Sequence, residues 1–398
     1  MSSRHRGIFY NFVIFAFFLA SRIMRQRPHL KGKENLREIP TPTLITVTHD
    51  SYYEIPSLSR VYYALHPKPD FLIMAKNDFL GGRYLSTNFA QGNRFLRTIL
   101  LLLDRTGLPL AVFRTMQLTS IERPFIEHLD MKRQALHQAI DEQVGKFREA
   151  AARGLSTLIF PEGTTWGFGG LKKIRSAAFQ VVEGAFESAR EKVYILPINV
   201  KVDRLVRGSK DVFIRVGRPF FARKPKEEFN LLLFDTLQHL HTITFSQIAA
   251  YYLKRLAEIQ DGAAETVTVE KERFLAALEE IVRDIHERVR AHVLPHLDPD
   301  LLDHRRLLEK VRRFLKYCSQ NRYLLEIRRQ GGKEILVLNR RRVLEDYPVR
   351  DYRKRNPVGF HANELKSLGE DVVRAIYDRC LSGTGQPPPA VPHPVRIR

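Results

Sequence analysis

The chain has 398 residues, 44% of them hydrophobic and 27% charged, a balance that excludes wholesale disorder and allows one large domain with a smaller one. Its 65 Lys and Arg against 44 Asp and Glu leave a formal net charge of +21, which calls for an anionic partner: nucleic acid, anionic lipid headgroups or a phosphorylated substrate. The two cysteines, Cys318 and Cys380, have no metal-ligand spacing and make no disulfide framework, so no metal site is expected and a reducing compartment is the simplest reading.

The first element is an apolar run from Gly7 to Ala20, bracketed by Arg4 and Arg6 before it and by Arg22, Arg25 and Arg27 after it. As a helix it covers about 21 Å, short of the roughly 30 Å hydrocarbon core. Its basic start resembles a signal peptide, but the bulky Phe18 and Leu19 stand where a cleavage site wants small residues. Phe9, Tyr10, Phe12, Phe15, Phe17 and Phe18 among arginines suit a retained anchor at headgroup level. The plainer alternative is a helix buried on the core.

From Thr43 to Val216 short apolar runs alternate with amphipathic stretches. LITVT, FLIMA, LAVF, LSTLIFP, VYILPINV and VFIRV read as strands with helical segments between them, an α/β pattern. Met131 to Arg153 is proline-free and predicts a helix stopped by Gly154. After Arg218-Pro219 helix formers dominate. Phe274, Leu278, Ile281, Ile285 and Val289 recur at intervals of three and four within Glu270–Val293, one buried face of a helix. YLLEIRR and KEILVL flank Gln330-Gly331-Gly332 as a β-hairpin, His361 to Leu381 predicts a closing amphipathic helix, and the proline-rich tail from Ser382 predicts disorder.

Three clusters carry chemistry. In TVTHDSYYEIP a strand ending at Val47 or Thr48 puts His49 at a C-terminal sheet edge, with Glu54 five residues on at the start of the next helix. A carboxylate on one imidazole nitrogen fixes the tautomer and raises the basicity of the other, giving a base for an alcohol proton without a serine nucleophile. In LIFPEGTTWGFGGLKKIRSAAF, Pro161 ends a strand and Glu162-Gly163-Thr164 form a turn rich in backbone donors. Lys172, Lys173 and Arg175 follow on the start of a helix, so amides, helix terminus and cations together suit a phosphate. In GLPLAVFRT, Arg114 ends an apolar strand, and its guanidinium fork suits bidentate phosphate recognition. Taken singly, each is matched by a blander reading: a surface histidine, a glycine-rich solvated loop, a solvated arginine.

Together these residues resemble the glycerolipid acyltransferase family of the lysophosphatidate and glycerol-3-phosphate acyltransferase type. His49 and Glu54 have the spacing of its first motif, with Glu for the usual Asp and Thr48 where Asn or Ser commonly precedes the histidine. VFRT at Arg114 is similar to the second motif, and Phe160-Pro161-Glu162-Gly163-Thr164-Thr165 to the third, with Thr165 in place of an arginine. LPINV at Leu196 to Val200 is similar to the fourth, and DYRKRNPVGFHANEL at Asp351 to Leu365 resembles a late segment of the larger glycerol-3-phosphate acyltransferases. The resemblance covers about residues 35 to 220. It implies His49 as general base, Glu54 as its orienting partner, and Arg114, Glu162, Gly163 and Thr164 positioning the acceptor. Phosphate charge is left to Arg114, Lys172, Lys173 and Arg175, and the acceptor hydroxyl attacks the thioester directly, with no cofactor beyond the co-substrate, acyl-CoA or acyl carrier protein.

The expected organisation is a membrane-associating segment at 1–34, an acyltransferase domain at 35–222 with a mixed β-sheet flanked by helices, a mostly helical domain with a hairpin at 223–381, and a disordered tail at 382–398. Expected partners are a membrane surface with anionic lipids, at the cytoplasmic face, and a phosphorylated glycerolipid acceptor. Nucleic-acid binding rests on charge alone, with no zinc-finger, RRM or KH signature. A catalytically silent, lipid-binding scaffold is the remaining alternative, supported by Glu54 and Thr165.

Overall fold

The computed structural model describes residues 3–48, 53, 55–66, 71–76, 85–86, 94–107, 109–111, 118–121, 133–163, 169–259, 265–320, 324–347 and 355–382. Its first half runs α1 (Ser3–Ile23), β1 (Gln26–Lys31), β2 (Thr43–Val47), α2 (Ser59–Ala64), β3 (Phe71–Lys76), α3 (Arg94–Arg105), β4 (Leu118–Ile121), α4 (Arg133–Ala152), β5 (Ser156–Ile159), α5 (Ala177–Ala189), β6 (Tyr194–Val202) and β7 (Lys210–Val216). The strands form a seven-stranded sheet in the order β1-β7-β6-β2-β5-β3-β4. Neighbours are parallel except β6 and β7, so the fold is the mixed α/β one expected.

Both faces are covered, which is why the central strands are apolar on both sides. Leu44, Ile159 and Ile195 pack under Val144 and Phe147 of α4 and Val181 and Val182 of α5. Ile45, Val47, Leu196, Ile198 and Val200 pack on the opposite face with Leu36, Val61 and Leu65. The helix α4 stops where expected: Gly154 has φ +79°, and Leu155 N donates to Ala150 O at 3.0 Å.

Two sequence expectations change here. The run LAVF is not a strand over its described part. Pro109–Ala111 are helical, with Ala111 N donating to Gly107 O at 2.9 Å, and the sheet takes Leu118–Ile121 instead; a four-residue apolar run has no period that separates strand from helix. Conversely, QRPHLK, read only as a basic flank, is the edge strand β1, where Pro28 is tolerated because β7 is its one strand neighbour among the described residues.

The second half comprises α6 (Lys226–His239), β8 (Thr242–Ile243), α7 (Phe245–Ile259), β9 (Thr266–Glu270), α8 (Lys271–Arg290), β10 (His296–Leu297), α9 (His304–Gln320), β11 (Leu325–Gln330), β12 (Lys333–Asn339), α10 (Arg340–Leu344), α11 (Pro357–Lys366) and α12 (Glu370–Ser382). The stripe on α8 is core as read: Phe274, Leu278, Ile281 and Ile285 are fully buried. The hairpin closes at Gly331 and Gly332 with φ +57° and +79°, the left-handed pair that a two-residue turn demands. β9 adds a third strand to it. The closing segment is two helices rather than one, because the chain turns at Ser367–Gly369 between α11 and α12. The tail beyond Ser382 lies outside the described residues.

Buried ions join the halves. Lys310 on α9 donates to Asp203 beyond β6 (2.9 Å), Asp211 on β7 (2.9 Å) and Asp298 (2.6 Å), and Asp211 is also bonded by Arg27 and His29 of β1.

Candidate functional site

The parallel pair β2–β5 sets the geometry. Thr46 lies beside Ile159, so both strands run out at the same level of the sheet edge. From β2 the chain passes through buried Thr48 to His49; from β5 it passes into Phe160-Pro161-Glu162-Gly163. An open sheet of this kind gathers its chemistry at the carboxyl ends of its strands. His49, Glu54, Arg114 and Thr164 themselves lie outside the described residues, while Glu162, Gly163, Lys172, Lys173 and Arg175 lie within them.

The residues leading into His49 are tightly determined. Thr48 N donates to Ile198 O (3.0 Å), and Val200 N donates to the Thr48 hydroxyl (2.9 Å). Thr48 therefore continues the ladder between β2 and β6 with its own side chain. The LPINV block serves the same edge: Leu196, Ile198 and Val200 are buried, and Asn199 Nδ2 donates to Leu237 O at 2.8 Å.

Glu54 is bounded on both sides by fixed residues. Tyr53 donates its hydroxyl to Met24 O (3.0 Å), its carbonyl accepts from Gln26 Nε2, and Ser57 donates to Gln26 Oε1. Burial pushes the Tyr53 phenol above its ordinary value, although the Arg204 guanidinium pulls the other way. Gln26, buried at the foot of β1, thus ties the segment on either side of Glu54 to the start of the sheet. Nothing in the sequence singled it out, since a glutamine beside arginines reads as solvated.

The turn after β5 is built from backbone bonds. Gly163 N donates to Phe160 O (2.9 Å) and Arg175 N to Pro161 O (2.8 Å). Gly163 has φ +71°, a conformation costly for a residue with a Cβ. The buried Glu162 carboxylate accepts the Lys172 amide at 2.9 Å, closing the loop onto itself. Lys172, Lys173 and Arg175 are not on a helix: residues 171–175 are irregular and α5 begins at Ala177. The amides of Lys172 and Arg175 are bonded to Glu162 and Pro161, so those two amides are already engaged within the protein. Lys173 and Arg175 are exposed at the mouth of the turn.

Residues 27–201 match the family model described as Acyltransferase. The chain carries a domain of the acyltransferase family. The matched span takes in His49, Glu54, Arg114, the FPEGT turn and LPINV, the residues by which the sequence resembles glycerolipid acyltransferases. Among solved structures, the 1-acyl-sn-glycerophosphate (LPA) acyltransferase PlsC from Thermotoga maritima is similar at 13% identity and a TM-score of 0.38, over 60% of this chain and 81% of that one. A search of curated proteins returned no match.

The acyltransferase domain is packed against α1. Val13, Ile14 and Ser21 of that helix face inward, and the Phe18 ring lies under the Arg60 guanidinium at 4.5 Å and edge-on to Tyr63. Its outer side is apolar as well: Phe12 is 61% exposed, Phe15 54%, Leu19 48% and Ile23 73%. Among the described residues no helix is long and apolar enough to cross a membrane.

Proposed function

We propose that this acyltransferase moves a fatty acyl group from a thioester donor, acyl-CoA or acyl carrier protein, to a hydroxyl of glycerol-3-phosphate or a lysophospholipid. His49 takes the hydroxyl proton as general base, Glu54 orients its imidazole, and the alkoxide attacks the thioester carbonyl, expelling the thiolate. Glu162, Gly163, Thr164 and Arg114 form the acceptor side, and Lys172, Lys173 and Arg175 supply cationic charge for its phosphate.

The observation that carries this reading is the level ending of β2 and β5, which brings the chain leading to His49 and the FPEG turn to one sheet edge. The cations at that turn supply the charge that a phosphorylated acceptor needs. Membrane attachment at the cytoplasmic face is part of the proposal. The exposed stripe Phe12, Phe15, Leu19 and Ile23 has the spacing of one helix face, has Arg22, Arg25 and Arg27 at its C-terminal end, and suits an interfacial position in anionic lipid.

The test is transfer of a labelled acyl chain from acyl-CoA and from acyl carrier protein to glycerol-3-phosphate, lysophosphatidate and neutral lysolipids. One phosphorylated acceptor should be used, with His49→Ala lowering the rate by about 10²-fold or more and Glu54→Ala less. Absence of turnover with every pair, in protein that still sediments with anionic vesicles, would replace the enzyme by a lipid-binding scaffold.

A further inference from the structure

The second domain touches the site loop directly. Gly169 and Gly170, with φ of +83° and +84°, lie against α11. A Cβ on Gly169 would overlap the Phe360 carbonyl oxygen and stand 3.1 Å from Glu364 N, and one on Gly170 would stand 2.7 Å from Ser367 Oγ. Glycine is required here for approach as well as for conformation. Two residues on, the Lys172 amide is held by Glu162 of the FPEG turn. The described part of the loop is therefore bonded to its own domain at Lys172 and lies in close approach to the backbone of α11 at Gly169.

Val358, Ala362 and Leu365 bury α11 in the core of the second domain, and a buried carboxylate ties it to β6. Glu364 accepts from Lys201 Nζ (2.7 Å), His361 Nδ1 (2.7 Å) and Gln247 Nε2 (3.2 Å). Burial alone would raise its pKa, but Lys201 and the hydrogen-bonded His361 hold it well below the ordinary value. Lys201 is on β6, next to Val200, whose amide is bonded to Thr48. A buried ion pair gains little net stability over apolar packing of the same volume; its directional bonds fix how α11 sits on β6.

Resting on the acyl-transfer reading, we propose that Glu364 is a positioning residue for the acceptor: it fixes α11 on β6, and α11 in turn seats Gly169-Gly170 and, through the Lys172–Glu162 bond, sets the orientation of the Phe160–Gly163 turn and the cations after it. On this account the second domain completes the acceptor side of the active site.

Two variants of the full chain test it, Glu364→Gln and Gly169→Ala, each with amide exchange followed over residues 156–176 and initial-rate kinetics on the acceptor accepted by the wild type. Both should raise the acceptor KM about ten-fold or more, leave the thioester KM within about two-fold, and speed exchange over 169–175 while β5 keeps its protection. Unchanged acceptor KM and exchange in both variants would overturn the proposal. So would a fall in kcat alone with exchange accelerated across both domains, the mark of a purely structural role. If Glu364→Gln does not fold, Gly169→Ala decides by itself. If the wild type transfers no acyl group, the function is wrong, and exchange over 169–175 still reports whether α11 seats the loop.

Discussion

Thr48 illustrates how a single side chain positions chemistry that it does not perform. Its hydroxyl stands in for a ladder acceptor, taking the Val200 amide at 2.9 Å immediately before His49. Thr48→Val keeps the shape and leaves a buried N–H unpaired, so stability should fall by ~1–3 kcal/mol in a urea titration, and Thr48→Ser should recover most of it. A Thr48→Val protein as stable as the wild type would mean that the bond contributes nothing. The sequence offered Thr48 only as a departure from the resembling motif, because a hydroxyl's partner across a sheet is invisible until strand order is known. The same holds for Gln26, whose neighbours Tyr53 and Ser57 are about thirty residues away in the chain.

Among the elements, α1 is apolar on two sides for different reasons. Val13, Ile14 and Ser21 are buried against the acyltransferase domain, whereas Phe12, Phe15, Leu19 and Ile23 face outward. All four are exposed, with Phe15 stacked on Phe18 at the surface, so replacing them by serine should leave the melting temperature within a few degrees. Each buried large apolar side chain supplies ~1.5–3 kcal/mol of transfer energy, so sedimentation with anionic vesicles should weaken by far more than ten-fold. Undiminished sedimentation would assign the stripe to another role. The sequence made the helix legible through its apolar run, yet could not say which side faced the protein, since both sides read alike. Among the strands, the described part of LAVF is helical and QRPHLK is a strand for a related reason: periodicity cannot judge four apolar residues, and an edge strand is defined by its neighbour.

At the scale of the whole molecule, the Lys310 cluster is the joint. Burial disfavours the Lys310 charge, but Asp203, Asp298 and Asp211 raise its pKa. Burial likewise opposes ionisation of Asp211, and the bonds from His29 and Lys310 outweigh it, holding its carboxyl below the ordinary range. Burial prevails at Asp298, pushing it up to about 6. Lys310→Met removes the cation that Asp203, Asp211 and Asp298 share, leaving Asp211 only its Arg27 and His29 partners, and should cost ~3–5 kcal/mol, read as a lower urea midpoint for both domains together. A loss confined to the second domain would show that the halves unfold independently.

The pH dependence follows from the signs. Asp211, depressed when folded, contributes stability present above the unfolded value of about 3.9 and lost as the pH falls further. Lys310, raised when folded, contributes below its unfolded value of about 10.4, hence throughout the neutral range. Asp298 is raised, so its contribution is full below about pH 4 and declines as the pH rises through 6. The urea midpoint of Asp298→Asn relative to wild type should therefore move in the variant's favour between about pH 4.5 and about pH 7. A difference that is flat, or that moves the other way, would place the strain on another member of the cluster.

By itself the sequence determined the α/β class, the helix ending at Gly154, the α8 core stripe, the glycine hairpin and the turn at Phe160–Gly163. These depend on residues within a few turns or strand steps of one another, where propensity and periodicity act directly. Tertiary structure alone decided that β1 joins β7, that the cations after the turn precede their helix, and that Lys310 and Glu364 join the two domains. It also decided that Gly169 and Gly170 lie against α11. Those outcomes depend on pairs up to about two hundred residues apart, whose burial and bonding exist only once the sheet order has brought them together.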